Sequence, residues 1–140
     1  MNDKKVGLVL EGGAMRGMFT AGVLDVLMEN GIEFDGAIGV SAGAVFGCNY
    51  KSKQIGRVLR YNLDYPATSE TLGFKSLIKT GNLMNKDFYF YELPYKLDVM
   101  DADTYHSCKT RFFAVVTNLE TGLAEYNKVG VKRAENKSEE

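Results

Sequence analysis

Apolar and polar positions divide the first fifty residues into two strand–helix units. Val6-Gly7-Leu8-Val9-Leu10 is a short, nearly continuous apolar run, the pattern of a parallel strand covered on both faces. Residues 18–29 follow after a glycine-rich break. Phe19, Val23, Val26 and Leu27 recur there at three- and four-residue steps, and Leu24 widens the stripe. That spacing predicts an amphipathic helix, and Asn30-Gly31 is its stop signal. A second apolar run, Ala37-Ile38-Gly39-Val40, leads through Ser41 into Ala44-Val45-Phe46, which predicts a strand handing over directly to a helix.

Further on the pattern changes. Residues 55–62 read as a short helix. Phe74, Leu77 and Ile78 fall at helical spacing, and Thr80-Gly81-Asn82 ends that segment. Phe88, Tyr89, Phe90, Tyr91 and Tyr95 then crowd together around Leu93-Pro94. They suit either an ordinary core helix and loop, with the aromatics packed on the sheet, or an interfacial surface that admits acyl chains; the first is the expectation. Residues 111–127 read as a hairpin, with Phe112-Phe113-Ala114-Val115-Val116, a turn around Glu120-Thr121-Gly122, and Leu123-Ala124-Glu125-Tyr126. The expected organisation is one domain over 1–128 and a charged, aperiodic tail over 129–140 expected to be disordered.

Composition narrows the classes. The chain has 140 residues, 45% apolar and 25% charged, ordinary for a soluble domain. A net charge of −1 and the lack of a basic stripe argue against nucleic acid. The two cysteines, Cys48 and Cys108, form no metal-type spacing; Cys48 reads as a buried thiol, and no metal or cofactor is expected. Neither a signal peptide nor a long apolar span is evident, so the expectation is a cytoplasmic protein.

The candidate chemistry lies in two loops. Gly39-Val40-Ser41-Ala42-Gly43 is a Gly-x-Ser-x-Gly sequence at a strand-to-helix turn, where a serine hydroxyl can be held out near the positive end of a helix. Glu11-Gly12-Gly13-Ala14-Met15-Arg16-Gly17 joins the first strand to the first helix, and its N–H groups can face an anion. A dinucleotide fingerprint is poorly met, because Ala14 stands at its middle glycine and Glu33 and Asp35 precede the second strand. An ester-derived oxyanion suits the loop better. Both loops would then lie side by side at the carboxyl edge of a parallel sheet, where open α/β sheets bind ligands.

With these motifs the chain resembles the patatin-like phospholipases, particularly the bacterial members. The stretches that carry the resemblance are Gly7 through Gly17, Phe34 through Ala44, and, in support, Phe113-Ala114-Val115-Val116-Thr117-Asn118-Leu119-Glu120-Thr121-Gly122. The resemblance implies a three-layer α/β/α fold with a mostly parallel sheet, incomplete at the C-terminus of this chain. It implies a lipid acyl hydrolase with a serine–aspartate dyad: Ser41 as nucleophile between Gly39 and Gly43, and an oxyanion hole from backbone around Gly12, Gly13 and Ala14, with Arg16 and Gly17 in the same loop. The family usually has glycine where this chain has Ala14. The implied substrate is an acyl lipid or ester, with peripheral membrane contact among the partners.

The family's aspartate stands in an Asp-Gly-Gly or Asp-Gly-Ala motif downstream of the serine. The only such motif here, Asp35-Gly36-Ala37, lies six residues before Ser41. Six extended residues span roughly 20 Å, which puts Asp35 at the far end of the strand. Asp98, Asp101 and Asp103 read as a surface segment, and His106, the only histidine, as a solvated loop residue. The expectation is that no catalytic aspartate is present in this chain and that its own activity is low. The alternative is a non-catalytic remnant or anion-binding module on the same fold. A sheet cut short is also expected to self-associate through an unpaired edge.

Overall fold

The computed structural model describes residues 4–68 and 71–131. Most of the tail expected at 129–140 therefore lies outside the described residues. Two compact units divide the chain, Met1–Val58 with Asp101–Glu140, and Leu59–Met100.

The first unit is built on a four-stranded sheet in the order β1 (Gly7–Leu10), β2 (Gly36–Val40), β3 (Arg111–Thr117), β4 (Ala124–Lys128). β1, β2 and β3 are parallel, and β4 returns antiparallel to β3. The chain is thus α/β with a mostly parallel sheet, the class the sequence predicts. The hairpin is there too. Its turn is fixed by the Asn118 side-chain oxygen, which accepts from the N–H groups of Glu120 and Thr121 at 2.9 Å each, and by Gly122 at φ 70°.

One face of the sheet is covered. Leu8, Ala37 and Phe112 stand in register across the three parallel strands, as do Leu10 and Gly39. Leu10, Ala37 and Phe112 form the core with Leu24 of α1 (Gly17–Glu29) and Tyr50 of α2 (Ala42–Lys51). Burying a side chain of the size of Phe112 stabilises the fold by about 1.5–3 kcal/mol. The opposite face carries Val9, Ile38 and Phe113 in one row, and Val9 is 77% exposed. The apolar run of β1 is therefore not that of a doubly covered strand among the described residues. Among the described residues β1 is an edge strand with one buried face.

α1 also corrects the sequence reading. Its buried residues are Gly17, Ala21 and Leu24, whereas Phe19 is 82% exposed and Val23 and Val26 are exposed as well. Two apolar stripes compete on this helix, and the one with small residues faces inward. A Cβ on Gly17 would stand 2.7 Å from the Phe46 ring and 3.1 Å from the Ala42 Cβ. Close approach of α1 to α2 selects the small-residue side.

Polar groups pin the amino edge of the sheet. Asp35 Oδ2 accepts from the Val6 N–H at 2.7 Å, the Asp35 N–H donates to the Val6 carbonyl at 2.9 Å, and the Arg111 N–H donates to the Asp35 carbonyl at 3.3 Å. The buried Lys51 ammonium donates to the carbonyls of Cys108 and Thr110 at 2.9 and 2.8 Å and lies 4.8 Å from the Tyr105 ring centre. It ties the end of α2 to the segment between α5 (Ala102–Ser107) and β3.

The second unit contains most of α3 (Arg57–Asp64), α4 (Phe74–Thr80) and a π-helical segment, Phe88–Leu97, that accommodates Pro94. None of the aromatics of that π-helical segment is buried. Leu93 is the one buried residue of that segment, and Phe90 and Tyr91 are exposed. Nor is Asp98 a surface acid: it is buried and receives two hydrogen bonds from the Arg60 guanidinium, at 2.7 and 3.0 Å.

Two outcomes follow from this packing. A Cβ on Gly47 would meet Leu10 Cδ1 at 2.6 Å and the Phe112 ring at 2.8 Å, so Gly47→Ala should lower stability by about 1–3 kcal/mol in thermal or urea unfolding. Burial pushes the Cys48 thiol up to about 11. Its reactive thiolate becomes abundant only as pH approaches that value, so at pH 8 only about a thousandth is ionised. Cys48 is half-buried rather than buried, and maleimide at pH 8 should modify it more slowly in the folded protein than in urea.

Candidate active site

The end of β2 runs straight into α2, and Ser41 is the joint. Its backbone stands at φ 51°, ψ −121°, a strained conformation for a residue with a side chain, and the residue is exposed. The turn is tight because its flanks are glycines. A Cβ on Gly39 would sit 2.6 Å from the Ala44 nitrogen and from the Gly43 carbonyl. A Cβ on Gly43 would collide with the carbonyl oxygens of Leu10 and Glu11. The start of α2 therefore lies directly on the end of β1.

That contact brings the second loop to the first. A Cβ on Gly12 would be 3.1 Å from the Ser41 Cβ and 3.8 Å from its Oγ. The backbone at Gly12 is thus a wall beside the hydroxyl. Among the described residues no protein acceptor takes the N–H of Gly12 or Gly13, and Ser41 Oγ makes no hydrogen bond. The Ala42 and Gly43 N–H groups belong to the first turn of a helix, where intrahelical acceptors are lacking.

The rest of the glycine loop is held by Arg16. Its N–H donates to the Gly13 carbonyl at 3.0 Å, and its guanidinium covers Gly13, where a Cβ would meet Nη2 at 3.1 Å and Nε at 3.2 Å. Gly13 has φ 152° and Ala14 φ 48°, so two successive residues take left-handed geometry before a 3-10 turn at Ala14–Arg16. Ala14 occupies a conformation that glycine adopts without strain. Gly17 is buried in the first turn of α1 against Phe46, a packing position.

The other polar candidates lie elsewhere. Asp35 is at the amino edge of the sheet, and Ser41 follows the carboxyl end of the same strand. His106 is on α5, not in a loop, and its Nε2 lies 2.6 Å from the Val131 carbonyl. Helix α5 leads into the start of β3, and β4 brings Val131 to that same edge, opposite to Ser41. Asp101 caps α5, accepting from the Thr104 N–H at 2.9 Å and hydroxyl at 2.6 Å. Asp25 accepts from the Gly56 N–H at 3.0 Å. No cluster of three or more potential metal ligands occurs among the described residues. Nor is any described helix long and apolar enough to cross a membrane.

Ala14→Gly should raise stability by about 0.5–1 kcal/mol. Relief of left-handed strain, about 1–2 kcal/mol, outweighs the unfolded-chain entropy that glycine adds. A fall in melting temperature would show that the loop does not hold this geometry in solution.

Several known proteins are similar to this chain. Lysophospholipase NTE1 of Phaeosphaeria nodorum is 35% identical over 107 residues, which cover 61% of this chain and 7% of that protein. The uncharacterized protein YjjU of Escherichia coli is 37% identical over 89 residues, covering 60% of this chain and 24% of that protein. Lysophospholipase nte1 of Aspergillus niger is 28% identical over 148 aligned residues, 91% of this chain and 8% of that protein. The chain thus spans less than a tenth of the fungal relatives and about a quarter of YjjU. No solved structure matches. The model of the patatin-like phospholipases matches residues 8–138, and the chain belongs to that family.

Proposed function

We propose that this chain carries the nucleophile and the oxyanion site of a lipid acyl hydrolase, with Ser41 attacking the ester carbonyl. The observation that supports this most is the placement of Gly12 beside an exposed, strained Ser41. The family and the lysophospholipase names of its relatives support the substrate class.

In this reading Ser41 Oγ adds to the carbonyl carbon, and its proton would pass to the dyad aspartate that the family resemblance implies, which is not among the described residues. The oxygen that becomes negative receives hydrogen bonds from the N–H groups of Gly12, Gly13 and Ala14. Each such donor contributes roughly 2.7–4 kcal/mol to the transition state in known serine hydrolases. Collapse of the tetrahedral intermediate expels the alcohol, which takes up the proton, and water then cleaves the acyl-serine. Holding the loop with the Arg16 guanidinium avoids reorganisation during the reaction. No described carboxylate hydrogen-bonds Ser41, so this chain alone should turn over slowly. Losing the acid from a related triad costs about 3 × 10⁴ in turnover, while an oxyanion hole alone retains about 10³–10⁴ over water.

The test is active-site modification. Prolonged incubation with a long-chain fluorophosphonate should label Ser41 ahead of Ser52, Ser76 and Ser107, as read by peptide mass spectrometry. Ser41→Ala should abolish that adduct and the residual hydrolysis of p-nitrophenyl butyrate. Hydrolysis unchanged in Ser41→Ala would overturn the assignment. A melting temperature raised by phosphate or nucleotides, with no adduct, would support the anion-binding module instead.

A further inference from the structure

The segment at 71–86 is built inside out. α4 has a single buried residue, and it is Ser76, while Phe74 is 79% and Ile78 84% exposed. Leu72, Leu77, Leu83 and Met84 are exposed too. Phe74, Leu77 and Ile78 fall at helical spacing in the sequence, and the structure exposes all three.

The polar groups of this segment are satisfied internally. The Ser76 hydroxyl donates to the Asn82 carbonyl at 2.8 Å, and the Thr80 hydroxyl to the Ser76 carbonyl at 2.9 Å. The Asn82 side-chain amide donates to the Thr80 carbonyl at 3.1 Å. The two ends close on each other through Gly73 N–H to the Leu83 carbonyl at 2.8 Å and Asn85 N–H to the Thr71 carbonyl at 2.9 Å. Leu72 and Met84 face each other across that closure as an antiparallel bridge. Gly81, at φ 74°, ends α4 and allows the return. A compact loop results, with its hydrogen bonds inside and its large apolar side chains outside.

Water is a poor solvent for that arrangement and a lipid interface a good one. An element entering an acyl region must satisfy its own backbone groups. Its charges must reach the headgroups, as lysine does by extending its stem. Residues 71–86 contain Lys75, Lys79 and Lys86 and no acid, with Glu70 and Asp87 just outside at the two ends. Lys75 and Lys79 alternate with Phe74 and Ile78 on α4 and are exposed.

We propose that residues 71–86 form an interfacial anchor that inserts Phe74, Ile78 and Leu83 into the surface of an anionic phospholipid bilayer, with Lys75, Lys79 and Lys86 at the headgroups. This rests on the lipid-hydrolase reading for its biological sense, but its physics is independent of Ser41. It also commits the exposed face to lipid over a second copy of the chain.

The chain has no tryptophan, so one can be introduced as a reporter. Phe74→Trp should show a blue-shifted emission, quenched by brominated acyl chains, with vesicles of phosphatidylcholine containing a third phosphatidylglycerol. Leu119→Trp, at a hairpin turn where Leu119 is 97% exposed, should show neither. Phe74→Ser with Ile78→Ser should lower vesicle partitioning about tenfold or more. Lys75→Gln and Lys86→Gln should each weaken binding to the anionic vesicles about fivefold, with a shallower salt dependence. Ser41→Ala should partition like the unsubstituted chain, so failure of the hydrolase reading leaves this result untouched. Equal quenching at positions 74 and 119, or partitioning indifferent to the Phe74 and Ile78 changes, would overturn the anchor. A Phe74→Trp emission already blue-shifted without vesicles, with a dimer in sedimentation, would assign the face to a second copy and overturn it as well.

Discussion

Everything at the candidate site depends on one close approach, that of the first turn of α2 to the end of β1. Gly43 lies so near the carbonyls of Leu10 and Glu11 that no side chain could stand between them. That contact makes Ser41 and Gly12 neighbours, because each is fixed within two residues of it. A single methyl group at position 43 would move α2 away from the sheet and open the gap between nucleophile and glycine loop. Gly39 and Gly47 extend the same requirement along the seam, against the backbone of α2 on one side and against Leu10 and Phe112 on the other. Strain at Ser41 and Ala14 is tolerated because this packing overdetermines both turns.

The sheet separates two kinds of polar chemistry. Its amino edge holds groups whose hydrogen bonds are all structural: Asp35 joining the starts of the parallel strands, Lys51 bridging to Cys108 and Thr110, and the Thr110 hydroxyl donating to the Phe34 carbonyl at 2.8 Å. Its carboxyl edge holds N–H groups and a hydroxyl without protein partners among the described residues. Parallel strands make this division natural, since all their helix N-termini open at one edge. The satisfied edge supplies rigidity, and the unsatisfied one is where an anion gains the most.

The second unit follows a different logic. Its ordered polar contacts, such as the Arg60–Asp98 pair and the hydrogen bonds within 71–85, are directed inward, and although Tyr61 and Leu93 are buried, the large apolar side chains of residues 72–84 are directed out. Periodicity alone reports that Phe74 and Ile78 share a helix face. It carries no information on whether that face meets protein, water or lipid.

The elements were legible in the sequence where local chemistry is decisive. Gly-x-Ser-x-Gly after an apolar run specifies an elbow, because only small flanking residues fit so tight a turn. Asn30-Gly31, Thr80-Gly81-Asn82 and Glu120-Thr121-Gly122 each mark a stop or turn that the structure contains, since glycine alone takes left-handed geometry freely. The order of β1, β2 and the hairpin, and the family itself, could also be read from spacing and motif. What the sequence could not decide was direction. On α1, Gly17, Ala21 and Leu24 face inward, against the more apolar Phe19 and Val23, because α2 demands proximity before hydrophobicity. Asp98 became a buried partner of Arg60, and His106 a helix residue at the wrong edge, only through contacts among residues distant in sequence. Local sequence fixes the backbone conformations each segment can adopt; which of its faces is buried depends on the shape of the surface it meets, and only the tertiary structure supplies that surface.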